Sequence, residues 1–221
     1  MNIVKKITIE DLKYISEVLP EGQHRLGFGT SSVSKQEYLN YTEKILRSQT
    51  HTTWGFFNNA DMVSFMSSFD FPNLPYYGLL NFKVLQTSTY YSQVKSGFID
   101  LINFISEQKE AEQRYTFFVT RAVLRRVDAR KKLFDEWKNH APDLYKKYLR
   151  TIEEVVPAGQ LSKFDYFNKA LLREKVFDND MLIMKWTCRN EFRTNIMTAE
   201  QASVSASIDN DLAKGDSLSS F

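Results

Sequence analysis

The residues of this chain whose types and spacing could do chemistry are mostly bases and hydroxyls. Arg121, Arg125, Arg126, Arg130, Lys131 and Lys132 form the one basic run. It could meet a phosphate or a nucleic acid backbone, but Asp128, Asp135 and Glu136 balance it into an ordinary solvated face. No aromatic residues interleave it, so it is no stacking platform for single strands. Thr87, Ser88 and Thr89 stand just before a stretch of helical apolar spacing. There they can offer hydroxyls and amides to a phosphate at a helix start, or one of them caps the helix and adds about 1 kcal/mol. Cys188 lies in an apolar strand, where a thiol behaves as a small hydrophobe. Three scattered histidines (His24, His51, His140) and one cysteine give no structural zinc pattern. Neither a Gly-x-Ser-x-Gly elbow nor a Walker loop occurs.

The elements that must position these groups follow from periodicity. Residues 3–7 read as a strand; Thr8 then stands as an N-cap before a helix over 9–19, with Leu12, Ile15, Val18 and Leu19 at helical spacing. Pro20 ends it, and 21–33 reads as an irregular loop rich in glycine. Ser34 caps a second helix over 35–48. Strands 52–57 and 62–69 flank Asn58-Asn59-Ala60-Asp61, a hairpin turn that tolerates left-handed backbone. Strand 77–85 follows, then an amphipathic helix over 90–107 and a dense strand over 115–119. The remainder reads as a basic helix (129–139), a strand (148–156), a short helix (164–172) and a closing strand (181–188). Hairpins plus one β-α-β crossover predict an α/β chain with a mixed, mostly antiparallel sheet and helices on both faces. In particular, strands 77–85 and 115–119 are predicted to lie side by side and parallel, joined by a right-handed crossover.

Composition bounds the rest. At 221 residues, 43% hydrophobic and 14% aromatic, the chain can fill one good-sized core. That core is assigned to 1–193, because 194–221 holds one aromatic, Phe221, and reads as a polar tail able to order on a protein partner. A net charge of +2 supplies no global field toward nucleic acid or anionic lipid. No signal-like N-terminus and no span of roughly 20 apolar residues appears, so no membrane partner is expected. The single cysteine fits a reducing compartment, and the expected location is cytoplasmic.

Three stretches carry a resemblance beyond element order: Thr52–Leu85, Tyr145-Lys-Lys-Tyr148-Leu149-Arg-Thr-Ile-Glu-Glu-Val-Val-Pro157, and Asp180-Met-Leu-Ile-Met-Lys-Trp-Thr-Cys-Arg189. They resemble the central meander, the late helix running into the sixth strand, and the closing strand of the GNAT acyltransferase superfamily. The tail-end stretches are most similar to small acetyltransferase-like proteins of tailed bacteriophages. The resemblance implies a GNAT-like fold over 1–193 and acetyl-CoA-dependent transfer of an acyl group to an amine, on a small molecule or a protein. It implies that acetyl-CoA sits between two splayed parallel strands with its pyrophosphate over the following helix N-terminus.

By that resemblance the cofactor contacts fall on Thr87, Ser88, Thr89 and Gln93. The family's Gln/Arg-x-x-Gly-x-Gly/Ala signature is absent, since Gln93 and Gly97 are one residue too far apart and Ile99 replaces the second small residue. Tyr145 and Tyr148, three residues apart on one predicted helix face, fall where the family's proton donor lies. Strand 77–85 carries no carboxylate for the usual base, and the nearest acid is Asp70. The basic run could then meet the 3′-phosphate of CoA. The same departures imply an alternative, a GNAT-like scaffold without catalysis that serves as a binding or virion-associated phage protein.

Overall fold

The computed structural model describes residues 2–25, 32–85, 97–122, 138–139, 141–157 and 180–193. Strand β1 (Asn2–Ile7) leads into a short 3-10 turn (Ile9–Asp11) and helix α1 (Leu12–Val18). Thr8 caps the turn by a reciprocal box with Asp11. The expected single helix over 9–19 is thus a tight turn followed by two helical turns. A small antiparallel pair, β2 (Gln23–Arg25) and β3 (Ser32–Ser34), occupies part of the segment expected to be loop. Ser34 and Glu37 form a second capping box at the start of α2 (Lys35–Arg47).

Strands β4 (His51–Asn58) and β5 (Asp61–Asp70) form the expected hairpin, with Asn59 left-handed at its turn (φ 56°). Strand β6 (Tyr76–Val84), helix α3 (Phe98–Ala111) and strand β7 (Thr116–Ala122) make the crossover. A six-residue helix α4 (Pro142–Lys147), with proline in its first turn, then runs into β8 (Tyr148–Val156). β9 (Met181–Cys188) closes the sheet.

Seven strands share one sheet in the order β1-β4-β5-β6-β7-β9-β8. β6 and β7 pair in parallel and every other pair is antiparallel. The predicted parallel neighbours are therefore present. Central strands are buried on both faces, which is why they read as nearly unbroken apolar runs. Alternate residues feed two cores. Tyr38, Ile15, Ile45, Phe65, Leu80 and Phe118 pack on the α1–α2 face, and Met66, Tyr77, Leu79, Ile102, Phe117 and Trp186 pack on the α3–α4 face.

Two expected boundaries differ. α3 starts at Phe98, and its N-cap is Gly97 in left-handed conformation (φ 73°), so Ser88 and Thr89 are not its caps. The predicted helix 90–107 is interrupted at Gly97, and its 90–96 portion lies outside the described residues. Tyr148 is the first residue of β8, so it does not share a helix face with Tyr145. The predicted helices 129–139 and 164–172, the tail 194–221, and Thr87, Ser88, Thr89 and Gln93 lie outside the described residues, apart from 138–139.

Candidate active site

The site is built by an incomplete pairing. β6 and β7 pair only from Tyr76↔Thr116 to Leu79↔Val119, although the strands continue to Val84 and Ala122. Their outer flanks stay paired, β6 with β5 and β7 with β9. The two inner edges therefore part beyond Leu79 and Val119, and among the described residues their facing backbone amides and carbonyls have no ladder. Such groups need partners when sequestered from water. An extended ligand with amides of its own is the natural filling.

A bulge lies next to the parting. Ser67 pairs with Leu80 and Phe65 with Lys83, so Asn81 and Phe82 together oppose Met66. Asn81 takes a left-handed backbone (φ 53°), as in bulges whose first residue is αL. Such an extra residue bends a strand, raises its local twist and re-aims the side chains after it. Asn81 is fully buried, its Oδ1 accepts a hydrogen bond from the Tyr38 hydroxyl (3.0 Å), and its Nδ2 has no partner. Tyr38 is held in turn by α2, where the Thr42 hydroxyl donates to its carbonyl.

Two residues on, the Lys83 ammonium stands over the Tyr38 ring (4.7 Å to the centroid) and 2.8 Å from His24 Nδ1. His24 belongs to β2 and donates from Nε2 to the Pro20 carbonyl (2.9 Å), which leaves Nδ1 as the acceptor for Lys83. Burial, with the Lys83 charge second, lowers the His24 pKa below its ordinary value. Burial alone pushes Lys83 down to about 8. Burial also raises Tyr38, which stays a neutral donor. On the opposite face Phe82 packs edge-on against Phe98 at the start of α3 (4.9 Å).

No family profile matches the chain, and no curated protein sequence matches it. Solved structures do. A protein assigned to the GNAT acetyltransferase family from Desulfovibrio desulfuricans is 11% identical, with a TM-score of 0.51 over 85% of this chain and 99% of that one. A spermidine N-acetyltransferase chimera from Vibrio cholerae and hSSAT is 8% identical, with a TM-score of 0.52 over 88% and 99%. The chain has the GNAT acetyltransferase fold.

Within that fold the three catalytic candidates read from the sequence lie away from the parted strands. Asp70 pairs with Tyr77, near the start of β6, whereas the strands part toward its end. At about 3.3 Å per residue, that is some 15 Å from Phe82. Asp70 is tied to the buried Lys109 (2.9 Å) and to Arg114 (3.6 Å). Tyr148 pairs with Cys188, next to the Thr116 end of β7, and its hydroxyl donates to Glu110. Burial drives its pKa far upward. Tyr145 packs edge-on against the buried Trp186 (5.7 Å). These contacts link α3 and α4 to the sheet at the edge opposite the opening.

Sequence reasoning missed Lys83, His24, Tyr38 and Asn81. One signal was available: Asn81 and Lys83 are the only amide and charged side chains of an otherwise apolar strand. A separate groove of about 420 Å³, lined by Leu12, Leu39, Asn40 and Arg47, lies between α1 and α2. Among the described residues, no helix is long and apolar enough to cross a membrane, and no cluster of His, Cys, Asp and Glu could hold a metal ion.

Proposed function

We propose that the protein is an acetyl-CoA-dependent N-acyltransferase, with the cofactor's pantetheine arm between β6 and β7. The observation that carries this reading is the pairing that stops at Leu79 and Val119 while both strands continue. The two amides of a pantetheine arm can complete the missing ladder on those edges. Asn81 Nδ2 supplies a buried donor at the same level of β6. Under this reading the amine enters from the α1–α2 face, where Lys83, His24 and Tyr38 converge. The setting is the cytoplasm, the host's if the chain is phage-encoded.

The acceptor we favour carries one amine and no further positive charge. A polyamine needs carboxylates, and the described acid nearest the His24 strand, Glu21, is already paired with Lys35 (2.7 Å). The sequence stretches 26–31 and 86–96, which follow β2 and β6, contain no Asp or Glu. Spermidine should be a poor acceptor, and acetylation of spermidine faster than of a monoamine would contradict this assignment.

Calorimetric titration with acetyl-CoA tests the reading. The missing glycine signature removes one or two charge-assisted contacts to the pyrophosphate, at about 1.5–3 kcal/mol each, so binding in the micromolar to low-millimolar range is expected. No heat of binding at millimolar ligand would leave the non-catalytic scaffold as the better account.

A further inference from the structure

Acyl transfer to an amine needs a group that takes the amine's proton. Among the described residues, neither β6 nor β7 carries a carboxylate. Asp70, the acid nearest in sequence before β6, sits at the far end of the strand, paired with the buried Lys109. What the bulge brings to the opening instead is an amine. We propose that Lys83 is the base of this site: its neutral amine takes the proton from the acceptor amine, and without an acceptor it takes the acetyl group itself. This rests on the acyltransferase reading above.

The geometry is specific. Lys83 lies on β6 four residues beyond the last pair with β7, partly buried, with Nζ fixed between the Tyr38 ring and His24 Nδ1. Among the described residues it makes no ion pair. His24 is a positioning residue: its Nε2–H is committed to Pro20, so the unprotonated Nδ1 holds the Lys83 Nζ in place without neutralising it. The groups around the pair are His24 from β2, Tyr38 and Lys35 from α2, Glu21 from the turn before β2, and the uncharged Asn81 and Phe65 from β6 and β5. Glu21 is largely exposed and paired to Lys35, so it does not offset the burial of Lys83. That burial favours the neutral amine, and the sign follows: below about pH 8 Lys83 is protonated and idle, and above it the free base accumulates.

In the transfer, the acceptor ammonium gives one proton to Lys83 Nζ. The freed amine forms a C–N bond to the thioester carbonyl, the C–S bond breaks, and the thiolate takes the second amine proton to leave as CoA thiol. In self-acetylation the neutral amine of Lys83 is itself the nucleophile: it forms the C–N bond as the C–S bond breaks, one of its two protons passes to the departing thiolate, and the other stays on the amide nitrogen.

The test uses the full chain with acetyl-CoA alone, and site-resolved peptide mass spectrometry across pH 6.5–9. Against an ordinary lysine of pKa about 10.4, Lys83 should acquire acetyl about tenfold faster or more near neutral pH. Exposed Lys13 serves as the internal reference. The Lys83 rate should saturate with acetyl-CoA and rise through pH 8. Calorimetric binding of acetyl-CoA without preferential acetylation of Lys83 would overturn the inference and leave the acyltransferase reading standing. Absence of binding would overturn both. A Lys83→Met variant that still binds acetyl-CoA and loses only the fast-labelled site would support the assignment.

Discussion

At Gly97 the backbone is left-handed, and a Cβ built there would lie 2.2 Å from the Phe56 ring. Any side chain must therefore carry both a strained backbone and a displaced aromatic ring. Gly97→Ala should cost about 2–4 kcal/mol in denaturant unfolding. Phe56→Leu in the same background should recover part of that loss, since the two positions touch and their effects should not add. Tyr148 makes a second residue-scale point. Its hydroxyl and Lys147 share the buried Glu110 carboxylate, so Tyr148→Phe should cost about 1–3 kcal/mol of stability. If the far edge of the sheet is structural, the same variant should leave acetyl-CoA affinity unchanged in calorimetry. A large loss of affinity in a stably folded Tyr148→Phe protein would return that tyrosine to the active site.

Element boundaries show where local pattern suffices and where it fails. The hairpin at Asn58–Asp61 was legible because asparagine tolerates the left-handed turn that the structure has at Asn59. Thr8 and Ser34 were legible as caps because their boxes with Asp11 and Glu37 are written within four residues. The β2–β3 pair was not, since two three-residue strands leave no periodicity to read. The boundary at Gly97 was not legible, because apolar spacing runs through Val94 and Phe98 alike and only the left-handed backbone of Gly97 marks where α3 begins. The Lys83–His24 contact spans 59 positions, and no local rule joins them. At this scale Asp70 is a tie between elements. It holds the buried Lys109 of α3 and, with Arg114, fixes the loop before β6, where Arg114 also donates to the Leu74 and Tyr76 carbonyls. Asp70→Asn should lower stability by about 1–2 kcal/mol, a modest value because the carboxylate is partly exposed. Thermal unfolding at neutral pH measures it.

For the molecule as a whole, element order was enough to anticipate the sheet. A crossover through one helix makes strands 77–85 and 115–119 parallel neighbours, and β6 and β7 are that pair. The last described residue, Arg193, binds back through its guanidinium to the Cys188 carbonyl and over the Tyr115 ring, and 194–221 holds a single aromatic residue, Phe221. Truncation after Arg193 should therefore keep the melting temperature within a few degrees. The proposed cofactor site lies at the parted edges of β6 and β7. Hydrogen–deuterium exchange with and without acetyl-CoA tests that claim most directly. The account predicts slowed exchange of backbone amides in Leu80–Val84 and Thr120–Ala122, with little change in β1 or β8. Binding that leaves those edges unprotected, or protects the end of the sheet that holds Asp70 and Tyr148 instead, would contradict it.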